Sequence, residues 1–176
     1  MEVVLVRHTS VDVPKGTCYG QTDVPVRDTF EQEAEETRQS LERFLPFDKV
    51  YCSPLTRARK LAAYCGYPDA TPDERLMEMD MGEWEMQLYD EIQDPHLKAW
   101  YDDYMHQSTT GGEGFPDLYR RVASFLDELK GSGYQRVAIF AHGGVLISAG
   151  LYAGAYKWED AWSNLTPFGG HVVIKI

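Results

Sequence analysis

The sequence predicts an α/β fold, a three-layer α/β/α sandwich with a mainly parallel central sheet. Two apolar runs, at residues 3–6 and 137–140, carry this prediction because short runs that stop at polar residues or glycine are typical of buried parallel strands. The segments between them show helical spacing of apolar residues, and strands that alternate with helices form a sheet with helices on both faces. No linker or repeat interrupts the pattern, so residues 1–176 are interpreted as one domain.

The first half of the chain is predicted to run strand, loop, helix, strand, helix. Residues 9–27 contain two prolines and two glycines without helical periodicity, which indicates a long loop after the first strand. Residues 29–45 keep one apolar face and form a helix, with Thr29 and Gln32 as a capping box at its start. A short strand at 49–52 is followed by a Ser-Pro turn and a second helix.

The second half begins without a clear period and then becomes regular. Glycines at 111–114 resemble a hinge, so residues 86–115 are predicted to form a lid or insertion. The predicted elements are irregular or extended chain at 66–86, a helix at 88–106 interrupted near Pro95, a helix at 116–130, a strand at 136–141, a small-residue helix at about 143–155 and a strand at 171–176.

Composition limits the possible partners and the compartment. A net charge of -11 would repel nucleic acid and acidic membranes, so neither is predicted as a partner. Cys18, Cys52 and Cys65 form no Cys-x-x-Cys pair, which argues against a disulfide framework or a zinc knuckle. No apolar stretch reaches the roughly 18 residues of a membrane span. The first residues lack the features of a signal peptide, and a cytoplasmic location is predicted.

Histidines follow two of the predicted strands directly. Arg7 and His8 end the first strand, and His142 ends the strand at 136–141. In open α/β sheets, ligands bind beyond the carboxyl ends of the strands, so these side chains should meet at one edge. Neutral imidazole attacks phosphorus well, and guanidinium groups match phosphate oxygens. The glycine pair after His142 lets backbone N–H groups approach an oxyanion.

Two further candidates are one arginine and one carboxylic acid. Arg57 follows the strand at 49–52 and lies in the first turn of a helix, although periodicity alone does not separate it from Arg59. Glu78 lies among apolar neighbours, which would favour the protonated form that a general acid needs. Spacing leaves other carboxylates open as alternatives, namely Asp80, Glu83 and Glu85.

Competing chemistries lack their residues. The chain contains no Gly-x-x-x-x-Gly-Lys phosphate loop, no cysteine followed after five residues by arginine, and no paired histidines at metal-binding spacing. Catalysis that depends on a metal is therefore not supported, and no metal site is predicted.

Taken together, the motifs resemble the histidine phosphatase superfamily, the phosphoglycerate mutase-like proteins. The matching segments occur in family order along nearly the whole chain: Leu-Val-Arg-His at 5–8, Ser-Pro-Leu-Thr-Arg at 53–57, Leu-Met-Glu at 76–78 with Gly-Glu-Trp-Glu at 82–85, Gly-Glu at 112–113 with Arg-Val at 121–122, and Ala-His-Gly at 141–143. The resemblance implies a phosphoglycerate mutase-like fold.

The resemblance also implies a role for each matching position. His8 would attack phosphorus and carry the phosphoryl group, while Glu78 would protonate the leaving oxygen and then activate water. Arg7, Arg57 and His142 would line the phosphate pocket and stabilise charge on the equatorial oxygens. Further phosphate or substrate contacts would come from Ser10, Gly20, Gln21 and the backbone N–H of Gly143. No cofactor or metal is implied.

Residues 16–25 look most like the α-ribazole phosphatase branch of this family. The expected activity is a metal-independent phosphomonoesterase acting on a small-molecule phosphate ester, α-ribazole 5′-phosphate or a related compound. Alternatives are a cofactor-dependent phosphoglycerate mutase, a protein phosphohistidine phosphatase and, least favoured, a non-catalytic phosphate-binding module. The chain lacks the long insertions and tail of the mutases, which disfavours the first alternative. The sequence does not predict the oligomeric state.

The chain departs from the family pattern at three positions. Thr9, Met86 and Gly114 stand where the family commonly has glycine, glycine and serine. These departures affect substrate contacts more than the central chemistry. A group of aromatic residues could form a platform for an aromatic base, namely Tyr19, Trp84, Trp100, Tyr101 and Tyr104.

Overall fold

The computed structural model describes residues 1–176 and contains one five-stranded sheet. Its strands are β1 (Glu2–Arg7), β2 (Lys49–Cys52), β3 (Thr71–Pro72), β4 (Arg136–Ala141) and β5 (His171–Lys175). They lie in the order β3-β2-β4-β1-β5. All neighbouring pairs are parallel except β1 and β5, so the predicted mainly parallel sheet is confirmed.

Five α-helices accompany the sheet: α1 (Phe30–Leu41), α2 (Thr56–Tyr64), α3 (His96–Asp102), α4 (Phe115–Lys130) and α5 (Gly143–Tyr152). Successive residues of β1 point to opposite faces of the sheet. Val3 and Leu5 belong to a buried cluster with residues of α4 and α5, whereas Val4 and Val6 belong to a second cluster with residues of α1 and α2. Two apolar cores, one on each face, confirm the predicted three layers. No helix has both the length and the apolar character needed to cross a bilayer.

The start of α1 differs from its prediction. The capping box of Thr29 and Gln32 does not form, because the Thr29 hydroxyl donates to the Glu33 carboxylate, at 2.7 Å, and caps no backbone group. The α-helix ends at Leu41 and continues as a 3₁₀ turn, Glu42–Phe44.

The predicted helix at 88–106 is mostly wrong. Only α3 is α-helical there, preceded by a 3₁₀ turn, Tyr89–Glu91. The Asp94 carboxylate accepts a hydrogen bond from the backbone N–H of His96 and, with Pro95, sets the start of α3. Helix α5 also stops early, at Tyr152, because Gly154 adopts φ +71° and turns the chain left-handed after the helix.

Residues 86–115, called the lid segment below, are tied down at Asp94. Its Oδ2 accepts hydrogen bonds from the indole N–H of Trp84, at 2.9 Å, and from the hydroxyl of Thr110, at 2.5 Å. One carboxylate therefore joins the chain just before the lid segment to a residue near its end. Whether the segment opens and closes remains a prediction.

Candidate active site

The two strand-end histidines lie side by side. Strands β1 and β4 are parallel neighbours in which Arg7 pairs with Ala141, so the next residues, His8 and His142, emerge at the same edge. Their ring centroids are 5.1 Å apart, and both side chains are buried. The sheet topology thus brings together two residues that are 134 positions apart in sequence.

The hydrogen bonding of His8 determines which ring nitrogen carries the proton. Nδ1 lies 2.7 Å from the carbonyl oxygen of Thr9, which can only accept, so Nδ1 holds the hydrogen and Nε2 holds the lone pair. Burial, together with the nearby charges of Arg57 and Arg7, lowers the pKa of His8 to about 3. The imidazole is therefore neutral at pH 7. Thr9 supplies this carbonyl without a positive φ, so the absent family glycine is not needed here.

The ring of His142 contacts the residue that follows strand β2. Its Nε2 lies 2.8 Å from the hydroxyl of Ser53, the residue that follows β2. Burial and the charge of Arg57 place the pKa of His142 well below its ordinary value, so this ring is also neutral. Ser53 was not predicted as a site residue, although it begins the matching segment at 53–57.

The structure decides between Arg57 and Arg59. Arg57, at the second residue of α2, is fully buried, whereas Arg59 is exposed. The terminal nitrogens of Arg57 donate to the carbonyl oxygens of Thr22, at 2.8 Å, and Gly20. These bonds fix the guanidinium to the loop at residues 9–27, called the first loop below. The guanidinium carbon of Arg57 lies 5.4 Å from the centre of the Tyr19 ring in the same loop.

Arg7 is oriented by a segment that the sequence did not indicate. Its Nη1 donates to the carbonyl oxygen of Thr166, at 2.7 Å, and its guanidinium carbon lies 4.0 Å from the centre of the Phe168 ring. The Nε atoms of Arg7 and Arg57 are buried and have no hydrogen-bond partner. Both side chains are guanidinium cations, whose planar fork matches the oxygens of a phosphate.

Glu78 is the carboxylate that reaches the same cavity as Arg7 and His8. Its two oxygens accept hydrogen bonds from the backbone N–H groups of Met79, at 2.9 Å, and Gly144, at 3.1 Å. A side chain on Gly144 would collide with the Glu78 carboxylate, which explains a glycine at this position.

The three alternative carboxylates have other contacts. Asp80 accepts from the N–H of Gly82, and Glu83 is exposed. Glu85 accepts from the N–H groups of Gly20 and Gln21 and from the Thr22 hydroxyl, at 2.7–3.0 Å. Glu85 therefore holds the loop whose carbonyls hold Arg57.

The backbone around Glu78 is fixed by a buttress of Glu113 and Arg121. The two side chains form a two-pronged ion pair with both N–O distances at 2.8 Å. The same guanidinium donates to the carbonyl oxygen of Glu78, at 2.9 Å, and to those of Met77 and Arg75. This contact gives a structural role to Glu113 and Arg121, one residue from each of the matching segments at 112–113 and 121–122.

Arg57 and His142 do not line the cavity, and the four remaining predicted contacts also lie outside its wall. The N–H and hydroxyl of Ser10 both donate to Glu33, at 3.0 and 2.6 Å, and the N–H groups of Gly20 and Gln21 donate to Glu85. Gly143 is the first residue of α5, and a Cβ built on it would lie 3.3 Å from Arg7 Nε. Substrate contacts at these four positions remain predictions.

Beside the polar residues is a cavity of about 360 Å³ with a largely aromatic wall. Four of the five residues of the predicted aromatic platform line it, whereas Trp84 is buried in the core and donates to Asp94. The sequence missed three of the rings, because they come from segments without a shared motif. The aromatic lining consists of Tyr19, Tyr89, Trp100, Tyr101, Tyr104, Phe115 and Trp162.

Known proteins share this fold. The fold, with buried histidines and arginines at the strand ends, defines a phosphoglycerate mutase-like protein, and the phosphoglycerate mutase of Thermus thermophilus superposes with a TM-score of 0.79 at 28% identity, over 99% of this chain and 93% of that one. The family model of the histidine phosphatase superfamily (branch 1) matches residues 3–174, and the chain belongs to this superfamily.

Two relatives are similar over nearly their whole length. An adenosylcobalamin/α-ribazole phosphatase of Salmonella typhimurium is 33% identical over 193 aligned residues, which cover 100% of this chain and 95% of that protein. The α-ribazole phosphatase of Shigella flexneri superposes with a TM-score of 0.87 at 29% identity and covers 100% of this chain and 91% of that one.

Proposed function

We propose that the protein is a phosphomonoesterase that works through a phosphohistidine on His8 and acts on α-ribazole 5′-phosphate or a closely related ester. The observation that carries the proposal is the state of His8, a buried neutral imidazole whose Nδ1 is bound to Thr9 and whose Nε2 lone pair is available. Arg7 and Arg57 lie close enough for their charges to act on this ring.

The first half of the reaction transfers the phosphoryl group. Nε2 of His8 forms a bond to phosphorus while the bond from phosphorus to the ester oxygen breaks, and protonated Glu78 gives its proton to that oxygen. The carbonyl oxygen of Thr9 accepts the hydrogen bond from Nδ1–H throughout and stabilises the positive charge that develops on the ring. Arg7 and Arg57 stabilise the charge on the phosphoryl oxygens.

The second half releases phosphate. Glu78, now a carboxylate, takes a proton from water, whose oxygen bonds to phosphorus as the bond from phosphorus to Nε2 breaks. The electron pair returns to His8, inorganic phosphate leaves, and Glu78 is protonated again. The buttress of Glu113 and Arg121 would hold Glu78 in one position through both steps.

The cavity wall favours an aromatic nucleoside ester over a small anionic one. Its only basic side chains are Arg7 and His8, both assigned to the phosphate, so no cation remains for the carboxylate of phosphoglycerate. The aromatic rings offer stacking surface for a benzimidazole base, which α-ribazole carries. The names of the relatives from Salmonella and Shigella support the same substrate.

The test measures phosphate release in EDTA from α-ribazole 5′-phosphate, 3-phosphoglycerate, several sugar phosphates and p-nitrophenyl phosphate. We expect kcat/KM to be highest for the ribazole ester by at least about tenfold. A preference for 3-phosphoglycerate with phosphate transfer would support a mutase instead. Binding of the esters without phosphate release would support a binding module. Loss of all activity in EDTA that Mg²⁺ or Zn²⁺ restores would contradict the metal-independent mechanism.

A further inference from the structure

An aromatic ring outside the active-site cavity contacts both Arg7 and His8. Phe168 is 40% exposed and lies between the 3₁₀ segment Trp158–Asn164 and strand β5. The centre of its ring is 4.0 Å from the guanidinium carbon of Arg7 and 5.6 Å from the centre of the His8 ring. The proposed reaction assigns this ring no role.

The backbone on either side of this ring is bonded to the same two residues. Arg7 donates from its N–H to the carbonyl oxygen of Gly170, at 2.9 Å, and from Nη1 to that of Thr166, at 2.7 Å. The N–H of Gly169 donates to the carbonyl oxygen of His8, at 3.0 Å. These three hydrogen bonds fix the part of the chain that carries the ring.

The ring of Phe168 stands between two open spaces. One is a polar cleft of about 370 Å³, which Phe168 lines and which Arg7 and His8 do not. The other is the active-site cavity, which Arg7 and His8 line and Phe168 does not. His8 is only 2% exposed, so a ring packed on it on the side of the cleft screens it from solvent there. Polar side chains of the cleft include Glu33, Glu36, Thr37, Ser40 and His171.

We propose that Phe168 is a positioning residue that shields the His8 imidazole from the polar cleft and holds the Arg7 guanidinium in place. The inference rests on the proposed function, in which His8 is the nucleophile and Arg7 binds the phosphoryl oxygens. A guanidinium group is attracted to the face of an aromatic ring, and a desolvated imidazole stays neutral. One side chain thus acts on the charge state of the nucleophile and on the position of a phosphate ligand.

The first measurement is an NMR titration of the His8 ring, with His8→Asn to assign its signal. The pKa of His8 is about 3, so the wild-type ring should be mostly neutral at about pH 4. Phe168→Ala opens the imidazole to the cleft, which favours its charged form, and at least about half of the rings should be protonated at that pH. The other charged or titratable groups around the ring are the same in both proteins: Arg7, Arg57, Glu78 and His142 on the cavity side, and Glu33, Glu36 and His171 on the cleft side.

The second measurement is the binding of inorganic phosphate, which tests the position of Arg7 without catalysis. Phe168→Ala should weaken binding about twofold to fivefold, the size expected for one partly exposed cation–π contact. Phe168→Leu separates the two roles, because leucine covers His8 and has no aromatic face. It should leave His8 neutral at about pH 4 and weaken phosphate binding as much as alanine does. Phe168→Tyr keeps the ring and should match the wild type in both measurements.

Kinetics separate this inference from the proposed function. In Phe168→Ala, kcat/KM should fall at least about threefold for α-ribazole 5′-phosphate and for p-nitrophenyl phosphate alike, because both esters need His8 and Arg7. If the wild type hydrolyses neither ester, the proposed function is wrong. The titration and the phosphate affinity still decide whether Phe168 screens His8 and holds Arg7.

Val173→Ala is the matched control, at an apolar side chain of β5 that is 41% exposed and lines neither space. It should change neither measurement. A neutral His8 ring at about pH 4 or unchanged phosphate affinity in Phe168→Ala would overturn the inference, and so would equal changes in Val173→Ala. If the alanine variant at 168 does not fold, wild-type phosphate affinity in Phe168→Leu overturns it.

Discussion

The two ends of the active-site cavity are built differently. At the phosphate end, His8 and His142 follow adjacent parallel strands, and backbone carbonyls hold His8 and Arg57. At the aromatic end, the wall is assembled from the first loop, the lid segment, the start of α4 and the 3₁₀ segment near the C-terminus. The strands fix the first end through a hydrogen-bonded ladder, whereas contacts between side chains shape the second.

This difference separates chemistry from specificity. Groups at the ends of buried strands are held in fixed positions. Phosphoryl transfer needs such positions, because a small displacement of a reacting group lowers the rate strongly. Rings on loops can change without disturbing the sheet, so substrate preference can vary on a constant reaction centre. Changes at the phosphate end should therefore affect all substrates, and changes at the aromatic end should affect some of them.

The largest effect is expected for His8→Ala. Removing the nucleophile should lower kcat by at least about 10³-fold for every ester, because the variant lacks the side chain that accepts the phosphoryl group in the proposed mechanism. Acid-labile ³²P should be trapped on the wild type and not on the variant. His106→Ala, at an exposed histidine of the lid segment, serves as the control. Wild-type turnover in His8→Ala would remove the phosphohistidine mechanism.

Glu78→Gln should give the next largest effect, and one that depends on the leaving group. Without an acid, kcat/KM for α-ribazole 5′-phosphate should fall about 10²–10³-fold, while p-nitrophenyl phosphate, whose leaving group needs little protonation, should lose much less. A plot of log kcat/KM against leaving-group pKa should become steeper. The same slope in the variant and the wild type would exclude Glu78 as the acid.

The buried neutral histidine predicts how stability depends on pH. The pKa of His8 is about 3 in the folded protein and about 6.5 in the unfolded chain, so between these values the unfolded chain binds more protons. The neutral His8 ring therefore makes its full contribution to the free energy of unfolding above about pH 6.5, and this contribution decreases as the pH falls from 6.5 towards 3. Between pH 7 and 5 the wild type should lose about 2 kcal/mol more than His8→Asn, measured by urea unfolding.

Asparagine is chosen because its amide can still donate to the carbonyl of Thr9. His106→Asn, at an exposed position, should keep the wild-type pH dependence. Equal pH dependence in His8→Asn and the wild type would mean that folding does not lower the pKa of His8, contrary to a desolvated ring beside two guanidinium groups.

The phosphate end could be predicted from sequence because its residues lie at fixed offsets from strand ends. The positions of His8 and His142 follow from two apolar runs and the rule that parallel strands share a carboxyl edge. Arg57 needed the structure, since two arginines in one helical turn differ in burial and hardly in pattern. Ser53 was missed because a turn serine has many ordinary structural roles.

The aromatic end could be predicted only in part: four of its seven rings were expected from the sequence and three were not. Phe115 and Trp162 are 47 residues apart, and no local rule places them on one wall. Trp84, which was expected in the wall, turns into the core because Asp94 accepts its N–H. Where three-dimensional packing decides which ring faces the cavity, periodicity and propensity carry no information.

The smallest expected effect concerns Met86, the first residue of the lid segment. It is the single non-glycine residue with positive φ, at 66°, and its N–H donates to the Cys18 carbonyl at 2.7 Å. Met86→Gly should stabilise the fold by about 0.5–1 kcal/mol, because the left-handed conformation disfavours a residue with a Cβ. The gain is smaller than the strain itself, because glycine also raises the entropy of the unfolded chain and so opposes folding. Urea unfolding measures the gain.

Met86→Ala separates strain from side-chain loss, because alanine keeps the Cβ and should give no gain. Lower stability in the glycine variant would show that packing of the Met86 side chain, 46% exposed, outweighs the strain. A gain with unchanged kcat would mean that the strain is incidental. A gain with lower kcat for the ribazole ester and unchanged kcat for p-nitrophenyl phosphate would mean that strain at this position serves the aromatic end alone, as expected if the two ends act independently.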